Sequence, residues 1–170
     1  MKKPVPRPDL HARRSNNDKR RLMVHPTPSD IAIMRQGLAY GGSSKHKRNP
    51  HLFALPPFLG SRSDETLCDE HAGFRPGDMV STPELLERSL RAGLIGEGKR
   101  ILWSVADNGW IFEARQTVPG RNEFHGYPVT ASESIAEVVY GRFRVWADMY
   151  GTDSDKAAAL NCQRLYGFRR

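Results

Sequence analysis

The sequence predicts an α+β fold, in which several amphipathic helices pack against a small antiparallel sheet built on a β-hairpin at residues 101–117. The hairpin is predicted because Asn108-Gly109 lies between two apolar, aromatic-rich runs, and this dipeptide favours a tight turn. The helices are predicted because three segments repeat apolar residues at helical spacing behind capping Ser or Thr residues. A proline-rich basic segment precedes all of them.

Residues 1–27 are predicted to form a flexible basic arm, and residues 28–170 a single domain. The arm contains eight basic and two acidic residues within a chain of net charge +7, and such a segment buries too little apolar surface to fold alone. The arm is expected to bind phosphates through four of its arginines: Arg13, Arg14, Arg20 and Arg21. The alternative is that the arm is a solubilising or partner-bound tail.

A short helix is predicted next, with Ser29 as its N-cap and Gly41-Gly42 at its end. The basic stretch GSSKHKRNPH follows at once. Backbone N–H groups after a Gly-Ser turn, together with cations, suit a phosphate, and the alternative is a solvated loop. The expected phosphate-binding residues of this stretch are Lys45, Lys47 and Arg48.

The clearest helix is predicted within residues 81–98. Ser81 and Glu84 have the spacing of a capping box, and leucines at positions 85, 86, 90 and 94 form one apolar stripe. Two more helices are predicted near the C-terminus, one behind Thr130 with Glu133 and one behind Thr152.

The hairpin is expected to have a two-residue turn at Asn108-Gly109. This register pairs Trp103 with Ala114 on one face and Ser104 with Glu113 on the other. Because side chains alternate along a strand, Glu113 and Arg115 point the same way. The sequence therefore predicts a half-polar sheet face on which a site can be built.

The segment EFHGYP, residues 123–128, is predicted to be a loop or a short third strand. His125 is a candidate acid/base, since the ordinary pKa of histidine suits proton transfer near neutral pH. Tyr127 adds a phenolic donor beside it. The alternative is a packed turn in which His125 caps a backbone carbonyl.

These residues together suit cleavage of RNA without a metal or other cofactor. The reaction needs a base for the 2′-OH, an acid for the leaving oxygen and cations for the phosphorane. The base is expected to be Glu113 or His46, and the acid His125. The cations are expected to be Arg115 with Lys45 or Lys47, and Tyr127 is expected to stack on or hydrogen-bond a nucleobase.

Over residues 101–129, the segments WIFEAR and FHGYP resemble the barnase-like and RelE-like ribonucleases of bacterial toxins. The resemblance implies helices before a small antiparallel sheet whose face carries Glu, Arg, His, Lys and Tyr. It also implies a toxin-like endoribonuclease acting on RNA, with an antitoxin or immunity protein as partner. The alternative is a non-catalytic subunit that binds nucleic acid or assembles into a complex.

The two cysteines are too few for a disulfide framework, and neither a secretory signal nor an apolar run of bilayer length occurs. A cytoplasmic protein without a membrane partner is therefore expected. Cys68 and His71 form one Cys-x-x-His pair, which is half of a zinc site. The alternative is a buried free cysteine near the start of a helix.

Overall fold

A computed structural model of the chain describes residues 20–61 and 67–169, so Arg13 and Arg14 lie outside the described residues. Within that part the fold is α+β, with five α-helices and one four-stranded sheet. The helices are α1 (Pro28–Arg35), α2 (Cys68–His71), α3 (Thr82–Arg91), α4 (Ser134–Tyr150) and α5 (Asp153–Tyr166). The strands are β1 (Ala39–Tyr40), β2 (Ile101–Val105), β3 (Ile111–Gln116) and β4 (Glu123–Pro128).

The sheet is mixed, whereas an antiparallel sheet was predicted. Its strand order is β1-β4-β3-β2, with β2, β3 and β4 antiparallel and β1 parallel to β4. Strand β1 is added because the amides of Ala39 and Gly41 donate to the carbonyls of Asn122 and Phe124, each at 2.9 Å. The segment around His125 is thus a central strand, which settles whether it is a loop or a strand.

The hairpin is present, but its predicted register is wrong by one residue. Val105 pairs with Ile111 and Trp103 pairs with Glu113. The amide of Ala106 donates to the carbonyl of Trp110 at 2.9 Å, so the loop that these two residues close has three residues, 107–109, rather than two. Its last residue, Gly109, has a φ of +91° and donates to the carbonyl of Ala106 at 2.8 Å. A turn followed by a left-handed glycine is the usual form of a three-residue hairpin loop.

Packing against α5 explains why this register is adopted. A Cβ atom added to Gly109 would lie 2.5 Å from the carbonyl carbon of Asn161, so the loop backbone lies directly on the helix. The side-chain amide of Asn161 donates from its Nδ2 to the carbonyl of Asp107 at 2.8 Å. The side chain of Asn108 accepts from the amide of Trp110 at 3.1 Å. The loop is therefore fixed by tertiary contacts.

The sheet lies between two layers of helices. On one face, Trp103, Val105 and Ile111 belong to a core that includes Val139 of α4 and Ala158 of α5. On the other face, Leu102, Ala114 and Phe124 pack with residues of α1 and α3, among them Met34 and Leu90. Glu113 and Arg115 share the α4/α5 face with Trp103, as their alternation along β3 requires.

Three of the predicted helix caps differ from the structure, and one of them is that of α4, whose N-cap is Glu133 rather than Thr130. Helix α1 is capped by Thr27, whose hydroxyl accepts from the amide of Asp30, and not by Ser29. The hydroxyl of Ser81 donates to the carbonyl of Asp78, so it does not cap α3. The predicted cap of α5 is confirmed, since Thr152 and its third following residue form a reciprocal capping box.

The described end of the arm packs on the domain, which differs from a flexible arm extending to residue 27. Leu22 is buried in the core beside α4 and the sheet. The amide of Met23 donates to the carbonyl of Ile95 at 2.8 Å, and the amide of Glu97 donates to that of Arg21 at 2.9 Å. These contacts add residues 21–23 to the folded domain.

Candidate functional site

The structure brings together the five residues predicted to act in catalysis. Strand pairing places Arg115 beside His125 and Glu113 beside Tyr127, so these four side chains share one sheet face. His46 comes from a 3-10 turn that follows β1. Its ring stacks on that of His125, with centroids 5.6 Å apart and planes 9° apart, and its centroid lies 4.9 Å from that of Tyr127.

Glu113 is the buried centre of this cluster, with an exposed fraction of 0%. Its Oε2 accepts from Arg20 Nε at 2.8 Å and Trp103 Nε1 at 3.1 Å. Its Oε1 accepts from Arg115 Nε at 2.7 Å and the Tyr127 hydroxyl at 2.5 Å. These contacts differ from those expected of a general base, because a base must reach the proton of its substrate.

The charge state of Glu113 follows from the same contacts. Burial disfavours its carboxylate, but the charge of Arg20, the hydroxyl of Tyr127 and the charge of Arg115 outweigh burial. Together they hold the pKa of Glu113 below its ordinary value. Glu113 is therefore an anion that fixes the orientation of the donors around it.

Arg20 is buried, although it was predicted to bind phosphate from a flexible arm. Its guanidinium forms ion pairs of 2.6 Å with Glu113 and 2.7 Å with Glu133, and 6% of its side chain is exposed. Two carboxylates hold it inside the domain, so its guanidinium is not presented to a ligand at the surface. Arg21, beside it, is exposed.

Arg20 and Glu133 were not predicted to belong to this cluster. Arg20 is 93 positions from Glu113 along the chain, and Glu133 is 113 positions from Arg20. The one available signal was the position of Glu133 in the predicted cap of α4, where its carboxylate accepts from the amide of Thr130 at 2.9 Å. That signal indicates a helix start and gives no indication of the arginine.

His125 is half-buried in cationic surroundings. Burial lowers its pKa below the ordinary value, and the nearby charges of Arg115, Lys45 and Lys47 lower it further. Its Nδ1 lies 3.2 Å from the hydroxyl oxygen of Thr117. The imidazole is therefore neutral at pH 7, in a position where an anion is electrostatically favoured.

The basic stretch divides into exposed and buried residues. Lys45 is exposed, and Arg48 is exposed with an ion pair of 2.7 Å to Glu70. Lys47 was predicted to bind phosphate but has no exposed surface. Its Nζ lies 2.8 Å from the Sγ of Cys68 and is enclosed by aromatic rings, so the loop presents Lys45 and Arg48 to solvent while Lys47 anchors it.

The zinc alternative requires Cys68 and His71 to converge with further ligands. Both lie on the single turn of α2, and the Cys68 thiol donates to the carbonyl of His46 at 3.0 Å. Residues 20–61 and 67–169 contain no group of three or more His, Cys, Asp or Glu side chains arranged to hold a metal ion.

Comparison with protein-family models, with curated proteins and with solved structures finds no match to this chain. Among the described residues, none of the helices has both the length and the apolar character needed to cross a bilayer.

Proposed function

We propose that the chain is a metal-independent endoribonuclease whose acid/base pair is His46 and His125. The observation that carries this proposal is the stacking of the two imidazoles, 5.6 Å apart between ring centroids, in cationic surroundings. In RNA cleavage of this kind the 2′-oxygen attacks the phosphorus and the 5′-oxygen leaves it. One imidazole can serve each of these two oxygens when the rings lie at this separation. The substrate class follows from the charge, since an RNA phosphate is the anion that such a site attracts.

The lowered pKa of His125 favours the role of base for this residue, which leaves the role of acid to His46. A neutral imidazole accepts a proton, so His125 acts as the base on the 2′-OH, and His46 supplies a proton to the leaving oxygen. This reverses the acid role expected of His125 from the sequence. A bound phosphate offsets the neighbouring positive charges, which favours the protonated form of His125 after it has accepted the proton.

Arg115 and Lys45 provide the positive charge that stabilises the phosphorane. Glu113 binds Arg115 at its Nε, which orients the guanidinium while 38% of the side chain stays exposed. A donor held in place before the reaction costs no reorganisation when charge develops on the phosphate. Lys45 is exposed on the loop of His46 and lies close enough to lower the pKa of His125.

The test is cleavage of total RNA and of a tRNA pool by the purified chain in EDTA. We expect cutting by the unaltered chain and by His25→Ala, which removes an exposed histidine that precedes α1. We expect no cutting by His125→Ala, with circular dichroism and thermal melting confirming that it folds. Equal cutting by His125→Ala and His25→Ala would refute the assignment.

The second candidate is a non-catalytic subunit that assembles with a partner protein. It is favoured by one surface of α4, where Val138, Val145 and Met149 are 52%, 51% and 64% exposed. Large apolar side chains grouped at a surface are typical of interaction sites. Intact RNA with the unaltered chain and with every variant would support this candidate over the enzyme.

A further inference from the structure

We propose that Lys47 and Cys68 form an oxidation-dependent covalent cross-link through a sulfur–nitrogen bond. Their side chains meet in the interior, with Nζ 2.8 Å from Sγ. Lys47 is 0% exposed and Cys68 is 1% exposed. They belong to different parts of the chain, one following the turn that carries His46 and the other beginning α2. A bond between them would therefore join two separate elements.

The surroundings hold the two groups in contact. The Nζ of Lys47 lies 5.0 Å from the ring centroids of both Phe53 and Phe74, an arrangement that favours a cation over the ring faces. The Cys68 thiol donates its proton to the carbonyl of His46 at 3.0 Å, so a sulfur lone pair is available to Lys47. A fixed pair of this kind reacts with a high effective concentration.

An oxidant has space beside the sulfur. A cavity of about 30 Å³ is lined by Cys68 together with Tyr40, Phe74 and Phe112. This volume exceeds the roughly 10–15 Å³ that one water molecule needs, so hydrogen peroxide fits. Burial raises the pKa of the Cys68 thiol above its ordinary value, and the charge and hydrogen bond of Lys47 offset part of that rise. Lys47 is thus the group that stabilises the reactive thiolate.

The reaction with hydrogen peroxide has two steps. The Cys68 thiolate attacks one peroxide oxygen, the O–O bond breaks, and the departing hydroxide takes a proton from the ammonium of Lys47 to become water, which leaves the Lys47 amine neutral. This leaves a sulfenic acid on Cys68. The neutral amine of Lys47 then attacks the sulfur, the S–O bond breaks, and the hydroxyl leaves as water with a proton from the amine. In total one thiol, one amine and one peroxide give an S–N bond and two waters, with sulfur oxidised by two electrons.

The cross-link would act on the loop that carries His46. It removes the S–H group that donates to the carbonyl of His46 and ties the next residue, Lys47, directly to α2. The loop is then held by a covalent bond in place of two hydrogen bonds.

The experiment is mass spectrometry of the intact chain and of its tryptic peptides, before and after treatment with hydrogen peroxide. We expect a loss of about 2 Da that is reversed by a thiol reductant. Trypsin should no longer cut after Lys47, and a peptide joining Lys47 to Cys68 should appear. This readout does not depend on RNA cleavage, so it stands or falls separately from the proposed ribonuclease.

Two variants distinguish this bond from other products. Cys162→Ser removes the other buried cysteine, in α5, and should retain the mass loss. Lys47→Gln should lose both the mass loss and the cross-linked peptide, because it removes the amine that forms the bond and the charge that stabilises the Cys68 thiolate. The proposal would be overturned by oxygen addition to Cys68 in the unaltered chain without a cross-link, or by a disulfide to Cys162. A gain of about 14 Da would show oxygen retained between nitrogen and sulfur and would overturn the direct S–N bond.

Discussion

Replacing Arg20 by methionine should strongly destabilise the fold. The side chains of Arg20, Glu113 and Glu133 are 6%, 0% and 3% exposed, and the ion pairs that join them measure 2.6 and 2.7 Å. Methionine fills a similar length but leaves both carboxylates inside the protein without that cation. Removing one partner from a buried ion pair costs about 3–5 kcal/mol, and we expect a loss of this size in the free energy of unfolding.

Urea unfolding at pH 7, followed by circular dichroism and tryptophan fluorescence, measures this loss. At roughly 2–4 °C per kcal/mol for a domain of this size, the melting temperature should fall by about 6–20 °C. The control is Arg21→Met, at the exposed neighbouring position, where a change within about 1 kcal/mol is expected. A loss below about 1 kcal/mol in Arg20→Met would refute the importance of the buried ion pairs.

The same experiment at acidic pH tests the charge of Glu113. Its pKa is lowered in the folded chain, so its contribution to stability is present above the ordinary carboxyl pKa. That contribution disappears as the pH falls through the lowered folded value. The difference between the unaltered chain and Arg20→Met should therefore shrink in acid, and a difference that grows would contradict an ionised Glu113.

Three further predictions concern the hairpin loop, His125 and α5. Gly109→Ala should cost about 1–3 kcal/mol in urea unfolding, because its Cβ would lie 2.5 Å from Asn161 and φ is +91°; unchanged stability would contradict the close packing. NMR titration should give His125 a midpoint below 6.5 that rises with inorganic phosphate, and a midpoint at or above 6.5 would contradict the cationic surroundings. Arg88→Leu should lower stability by about 3–5 kcal/mol, since the buried Arg88 pairs with Asp155 at 2.8 Å; an unchanged melting temperature would refute this.

The candidate site could be predicted from residue alternation. Glu113 and Arg115 are two positions apart on one strand, and His125 and Tyr127 are two positions apart on the next. Each pair therefore shares a face, whatever the register of the strands. The contact with His46 could not be predicted this way, because it depends on where the loop after β1 crosses the sheet.

The hairpin register could not be read from the sequence. Asn108-Gly109 is compatible with two-residue and three-residue loops, because both use a glycine with positive φ. The structure selects the longer loop through the contact of Gly109 with Asn161 in α5, more than fifty positions away. The error moved Glu113 to the wrong cross-strand partner, so its contact with Trp103 was missed.

Buried cations were the other feature that sequence reasoning missed. Lys47 and Arg20 each stand in a run of basic residues, and such runs are normally solvated. Their burial depends on distant partners. Cys68 and two phenylalanines enclose Lys47, while two carboxylates enclose Arg20. Local composition contains no information about these partners.

The burial of Glu113 connects the stability of the fold with the proposed chemistry. A carboxylate inside the protein is costly unless donors surround it, and Glu113 is surrounded by donors that include Arg115 and Tyr127. The ion pair with Arg115 and the hydrogen bond from Tyr127 that stabilise Glu113 thus also fix the guanidinium and the phenol beside the two histidines. With Glu113 held as an anion, proton transfer in the proposed reaction is assigned to His46 and His125. A carboxylate that is unsuited to act as a base is therefore well suited to orient the groups around it.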